Sequence, residues 1–299
     1  MFYRRKLLLS LLEIFGNELE KIRLQKLLFL LTKKQVKQDY EFVPYKFGCY
    51  SFSANADLTA MVKKGLITET DSSFRKNDNI SYFELLRPLD KKLINDTKEF
   101  YGNMNSNSLM KHTYINHPFW AIKSIVAKDI LTPALYQRVE DAKPKIKEKI
   151  LYTIGYEGIS LENYFLKLLS NDVKVLVDVR RNPLSMKFGF SKTLLQRYCK
   201  ALEIEYIHFP EVGIHSNERQ ELNSQNDYDE LFHNYKSENL PKTIDTQNQI
   251  IDILERKHRI ALTCFEANIC QCHRKHLAEA IILNPRFKYK MKHIQNGKN

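Results

Sequence analysis

The sequence predicts an α/β chain of two domains. A helical domain with a small hairpin occupies residues 1–132, a linker 133–149, and a three-layer domain with a mostly parallel sheet 150–299. Three observations predict this. Leucines in the first half recur at helical spacing. The second half alternates short apolar runs with amphipathic stretches, the pattern of strands covered on both faces by helices. Between them TPALYQRVEDAKPKIKEK is polar and charged and holds Pro133 and Pro144.

RRKLLLSLLEIF (4–15) sets Leu7, Leu8, Leu11, Leu12 and Phe15 on one face, and KIRLQKLLFLLTKK (21–34) repeats the pattern with Leu24, Leu27, Leu28 and Leu31. Pro44 and Gly48 mark an irregular connection. Asn55 or Asp57 is expected to cap a helix over 56–64, with Gly65 at its C′ position. Leu66 and Ile67 then open a strand, SSFRKNDN (72–79) reads as a turn with a basic tip, and ISYFELL (80–86) as the returning strand. Three helices followed by a hairpin is the order of a winged-helix-like domain. In such a domain Lys63, Lys64, Arg75 and Lys76 would be the nucleic-acid contacts. Further on, Trp120 heads a buried-looking face with Phe119, Ile122 and Ile125.

Composition bounds the rest. At 299 residues, with 43% hydrophobic and 27% charged residues, the chain is a globular mixture with room for two domains. No run is apolar and long enough to span a membrane. MFYRRKLLLSLLEIF begins like a signal peptide, but it lacks a small-residue cleavage site and runs on into amphipathic helix. A cytoplasmic location is expected, with the five cysteines as reduced thiols. Net charge is +12. Residues 1–149 hold 26 Lys and Arg against 17 Asp and Glu, and residues 150–299 hold 21 against 18. The basic first half points to nucleic-acid phosphates as partners. The plain alternative is a solvated, lysine-rich surface or a protein-docking face.

In the second half the strands read as KILYTIGYEG, VKVLVDVRRNP, IEYIHFPEVG, HRIALTCFE and a last one in YKMKHIQ, with helices between them. This is a Rossmann-like order. In such sheets ligands bind outside the carboxyl ends of the strands. Polar residues collect there: Tyr156 and Glu157, then Asp178, Arg180 and Arg181, then His208 and Glu211, then Cys264, Glu266, Cys272, His273 and Arg274.

Two family resemblances follow from these stretches. RLQKLLFLL, FVPYKFGCYS and LTAMVKKGLI resemble the helical winged domains of the Panacea type, which implies a setting near toxin–antitoxin and phage-defence systems. TIGYEGISLENYFLKLL, VLVDVRRNPLSMKFGFS, YIHFPEVG and CFEANICQCHRKHLAEAI resemble the family catalogued as domain of unknown function four-eight-eight. That resemblance implies an α/β fold with a polar pocket and no established reaction. The family's acidic residue after the strand-end Cys is kept as Glu266, and Cys270 looks like a local addition.

Several chemistries compete for the strand-end residues. Cys264, Cys270, Cys272 and His273 are soft ligands, but adjacent ligands at 272 and 273 and the lack of a C-x-x-C knuckle argue against zinc, so no metal is expected. Cys272 at a helix start beside Arg274 is where a thiolate would be stabilised. A phosphatase-type loop, however, would need an arginine where Cys270 stands. Arg180, Arg181 and Arg274 with the helix start at 272 suggest an anion site; an Asp178–Arg274 ion pair is the structural alternative. Glu157 and Asp178 suit general-acid and stabilising roles in cleaving a glycosidic bond, with His273 moving a proton and Tyr156 stacking on a base. Tyr156, Glu211, Cys264, Glu266 and Cys272 would line the pocket. IGYEG is not G-x-G-x-x-G and no Walker A motif is present, so no cofactor is predicted. The expected function is binding, and hydrolytic processing, of a nucleotide or a base in nucleic acid. The alternative is a ligand-sensing DNA-binding regulator without catalysis.

Overall fold

The computed structural model describes residues 1–215 and 224–297. The chain forms two compact units, Met1–Lys143 and Pro144–Asn299. No helix among the described residues is long and apolar enough to cross a membrane.

The first unit opens with α1 (Tyr3–Ile14), a short strand β1 (Glu18–Glu20) and α2 (Lys21–Thr32). α1 buries every residue from Leu7 to Leu12, so it is enclosed on all sides rather than amphipathic. A hairpin, β2 (Val43–Tyr45) and β3 (Gly48–Tyr50), leads to α3 (Phe52–Lys63). The N-cap of α3 is Ser51, whose side chain accepts from the Ala54 amide. The expected caps lie inside the helix. Asp57 is buried there and receives Arg5 at 2.7 Å, Arg4 at 2.6 Å and the Tyr40 hydroxyl at 3.0 Å. Gly65, at φ +70°, ends α3: its amide bonds to Val62 O and the Leu66 amide to Met61 O, a Schellman closure.

β4 (Ile67–Glu69) and β5 (Ser73–Lys76) follow, and β5 lies between β1 and β4 in an antiparallel sheet. The turn therefore falls at residues 70–72, where the Thr70 and Ser73 hydroxyls bond at 2.8 Å, and the expected basic tip is itself the returning strand. ISYFELL is not a strand. Glu13 accepts the amides of Tyr82 and Phe83 at 2.8 and 3.1 Å, which starts a 3₁₀ turn over Phe83–Leu85. α4 (Pro88–Tyr101), α5 (Ser106–Asn116), α6 (Ala127–Ile130) and α7 (Pro133–Asp141) complete the unit. The region read as a linker thus begins with a helix, held because Val139 is buried with Met110, Tyr114 and Leu131. Trp120 packs edge-on against Phe29 at 5.2 Å, whereas Ile125 is exposed.

The second unit runs β6 (Ile150–Gly155), α8 (Leu161–Ser170), β7 (Val175–Asp178), α9 (Lys192–Ala201), β8 (Glu205–His208), α10 (Gln225–Asn234), α11 (Leu240–Lys242), α12 (Ile244–Lys257), β9 (Arg259–Cys264), α13 (His273–Leu283) and β10 (Lys290–Ile294). All five strands pair in parallel, in the order β10-β6-β9-β7-β8. Ile250, Ile251 and Leu254 of α12 and Leu277 and Ile281 of α13 bury one face against Leu151, Val175, Val177, Ile260 and Leu262. On the other face Tyr164 of α8 donates to the Thr263 hydroxyl at 2.7 Å, and Phe165 meets Tyr198 of α9. The β6, β9 and β7 strands are central, so their carboxyl ends lie side by side.

Candidate functional site

The carboxyl ends of β6, β9 and β7 frame a cavity of about 300 Å³ lined by Tyr156, Arg180, Arg181, Asn182, Ser185, Cys264, Phe265 and His273, with Leu184, Met186 and Ile214. Two close backbone approaches build this edge. A Cβ at Gly155 would stand 1.9 Å from the Glu266 carbonyl oxygen, and one at Gly213 would stand 2.2 Å from the Arg181 amide nitrogen. Neither position admits a side chain without moving backbone. Gly155 lets the turns after β6 and β9 touch, and the amides of Tyr156 and Glu157 both bond to the Phe265 carbonyl.

On one side of the cavity lies a closed polar network. Asp178 is fully buried and accepts Arg180 Nε at 2.8 Å, Arg180 Nη2 at 2.5 Å, the Arg180 amide at 3.1 Å and the Tyr206 hydroxyl at 2.7 Å. Arg180 Nη1 donates to Tyr156 Oη at 2.8 Å and to the Phe190 carbonyl at 2.9 Å. Burial works against the Arg180 charge, but the Asp178 contact outweighs it and raises the guanidinium pKa. Tyr206 is raised by burial and by the Asp178 charge. Tyr156 stacks on Phe190 with centroids 4.2 Å apart, and burial raises its hydroxyl pKa against the pull of Arg180. The partner of Asp178 is therefore Arg180, not Arg274: a residue two positions on can fold back over the strand end.

On the other side is a thiol–imidazole cluster. Cys264 Sγ lies 3.7 Å from His273 Nδ1 and 3.1 Å from Glu266 Oε2. His273 Nε2 meets the Val179 carbonyl at 2.9 Å. A carbonyl only accepts, so Nε2 carries the proton and Nδ1 presents a lone pair toward Cys264. Cys272 joins them: ligand atoms of Cys264, Cys272 and His273 all lie within 4.8 Å of one another, and all three residues are buried. The geometric objection to neighbouring ligands at 272 and 273 does not hold. Cys272 is extended (φ −132°, ψ 129°) and His273 is the first helical residue, so the bend between them turns both inward. Burial pushes the Cys272 thiol well up, so the helix start does not make it the readily ionised thiol that the sequence suggested. Arg274 is 2% exposed and donates from Nη1 to the Glu266 carbonyl at 2.6 Å, while its Nε finds no partner among the described residues.

The expected acid pair is not assembled. Glu157 is exposed, and its carboxylate accepts the Ala267 amide at 2.8 Å, pinning the loop after β9. Asp178 is sealed beneath Arg180 and Tyr206. Neither lines the cavity. Glu211 sits in a 3₁₀ turn and accepts the Thr246 hydroxyl at 2.8 Å, also away from the lining. Arg181 is exposed at the rim and donates to the Pro210 carbonyl at 3.4 Å. His208 Nε2 bonds the Arg180 carbonyl at 2.8 Å while Lys192 approaches its Nδ1 at 3.0 Å, so it props the strand end.

Sequence reading missed Phe190, Tyr206 and the rim formed by Leu184, Met186 and Phe265. The last three are exposed apolar side chains beside a polar motif, a signal visible in NPLSM and CFE.

In the first unit Lys63 and Lys64 are exposed at the end of α3. Arg75 faces solvent on β5 and pairs with Glu18 at 3.0 Å. Lys76 is buried and held by Asp78 at 2.9 Å, so it is not a free phosphate contact; alternation along β5 turns it inward.

No curated protein matched the chain. The match to a family model covers the DVRRNP and CHR stretches and starts after TIGYEG: residues 160–281 fit the family described as Domain of unknown function DUF488, and the second unit carries a DUF488 domain.

Proposed function

We propose that the chain is a nucleic-acid-associated protein whose second unit binds, and acts hydrolytically on, a nucleotide or a base within nucleic acid. The observation that carries this reading is the two-sided lining of the strand-end cavity. Arg181, Asn182 and Ser185 offer charge and hydrogen bonds, while Leu184, Met186 and Phe265 leave apolar surface exposed beside them. A phosphate suits the first set and a base ring the second. The position agrees with the general rule for parallel sheets. Of the three residues expected to act, His273 lines the cavity, beside the pocket residue Cys264, whereas Glu157 and Asp178 lie outside the lining.

The first unit supports the nucleic-acid part of the reading. Its order of helix, strand, helix, short hairpin, helix and second hairpin, with β1 paired to β5, is compatible with a winged-helix arrangement that carries one inserted hairpin, and Lys63 and Lys64 extend from the end of its third helix.

The test is calorimetric titration of the full chain with nucleoside monophosphates and with short single-stranded oligonucleotides, repeated on Arg181→Glu and Phe265→Ala. Loss of the stacking face is expected to cost about 1–3 kcal/mol of binding, and Arg181→Glu to abolish binding of the charged ligands. No heat with any ligand, or unchanged affinity in both variants, overturns the reading.

A further inference from the structure

We infer that Cys264, Cys272 and His273 form a three-donor binding site for a soft divalent transition-metal ion, with zinc the best fit. The argument rests on donor type, spacing and orientation, and does not depend on the nucleotide reading.

Thiolate sulfur and imidazole nitrogen bind zinc at about 2.3 and 2.0–2.1 Å; two such donors on a tetrahedral ion stand about 3.6 Å apart. The Cys264 Sγ to His273 Nδ1 separation is 3.7 Å. Cys272 completes a triangle of soft donors within 4.8 Å. Glu266 Oε2 lies 3.1 Å from Cys264 Sγ, beside the triangle and not part of it. The ligands come from the end of β9 and the start of α13, two rigid elements.

Orientation supports the assignment. A metal-bound histidine generally donates its other ring N–H to a carbonyl or carboxylate, which fixes the tautomer. His273 does this through Nε2 to the Val179 carbonyl. The lone pair on Nδ1 is thereby aimed at the sulfurs.

Charge balances as well. Zn²⁺ enters as the two thiols lose their protons, so loading changes no net charge. The Glu266 carboxylate beside Cys264 adds one negative charge at the edge of the centre. Arg274, buried two residues after Cys272 and bonded to the Glu266 carbonyl, supplies the compensating positive charge. A buried guanidinium needs such a counter-charge.

Cys270, by contrast, is exposed and lies outside the cluster. It provides an internal control.

The experiment strips the purified full chain with a chelator and reloads it with zinc or cobalt(II). One ion per chain is expected, with two protons released per ion. Cobalt should give a thiolate charge-transfer band, and X-ray absorption of the zinc form should show two sulfurs at about 2.3 Å beside nitrogen or oxygen at about 2.0 Å. Cys270→Ser keeps the band, whereas Cys272→Ser and His273→Gln lose it or bind at least tenfold more weakly. Because those variants can disturb folding, the X-ray shell of the unmodified chain decides on its own. A shell without sulfur, no retained metal, or a band lost in Cys270→Ser overturns the inference. So does a metal-free chain in which iodoacetamide rapidly labels Cys264, which would make the cluster a thiol–imidazole pair. None of these outcomes bears on nucleotide affinity, which the calorimetric titration measures separately.

Discussion

Asp178 and Arg180, two residues apart at the end of β7, grip each other through paired bonds of 2.8 and 2.5 Å. The carboxylate also takes the Tyr206 hydroxyl, and the guanidinium goes on to Tyr156 and Phe190. The pair therefore sets one wall of the cavity and ties it to three neighbouring segments.

Asp178→Asn should leave the Arg180 charge buried without a counter-ion, at a cost of about 3–5 kcal/mol. Changing both, as Asp178→Asn with Arg180→Met, should recover part of that. The single tryptophan, Trp120, lies in the first unit and the pair in the second. Hydrogen exchange on peptides spanning β7 and β8 is the suitable measurement. Equal protection in the single and double variants would show that the pair is not the source of the stability.

The two glycines of GYEG should behave differently. Gly155→Ala pushes a methyl into the Glu266 carbonyl and should destabilise the second unit by about 1–3 kcal/mol or more. Gly158, at φ +76° with open space around its would-be Cβ, should lose only about 1 kcal/mol on the same change. Thermal denaturation of the two variants side by side checks the order.

Lys26 is 1% exposed in the first unit, and its ammonium donates to the Cys49 carbonyl at 2.9 Å. Burial lowers its pKa, with the Cys49 contact opposing. The unfolded chain then holds this proton at pH values where the folded chain has released it, so stability rises with pH between the folded pKa and about 10.4. Lys26→Met removes that dependence. Compared in a Cys49→Ala background, which removes the neighbouring thiol, Lys26→Met should gain ground on its parent at neutral pH and lose it toward pH 10. Each pKa unit by which Lys26 is depressed corresponds to about 1.4 kcal/mol. Parallel melting curves across that range would refute it.

Charge reversal at Lys63 and Lys64 should weaken duplex binding and flatten the dependence of log K on log salt by about 0.9 per lost phosphate contact. Arg75→Glu, which meets Glu18 across the sheet, should act through the β1–β5 pairing. Filter binding at several salt concentrations separates the two. An unchanged salt slope in Lys63→Glu with Lys64→Glu would remove α3 as the contact.

The central strands β6, β7 and β9 of the second unit were legible because each is a mainly aliphatic run bounded by polar turns, as in VKVLVDV. The returning strand of the first-unit hairpin was not. Ser73–Lys76 is short and polar, while ISYFELL alternates convincingly but is caught by the distant Glu13 carboxylate. The strand-end residues were found as a set, because topology alone brings them to one edge. Their pairings were hidden: nothing local says that Arg180 turns back to Asp178, that Glu157 is spent on a loop amide, or that Cys272 and His273 both face Cys264.

The strand order has a consequence for synthesis. β9 separates β6 from β7, yet it begins only at Arg259, after α12. While the chain emerges from the ribosome, β7 can pair with β8, but β6 has neither neighbour until β9 and β10 arrive. Its apolar run stays exposed through that interval. The nascent chain is therefore most vulnerable to misassociation between the emergence of Gly155 and that of Cys264, and a chain truncated inside that window keeps an open seam where its central strand belongs.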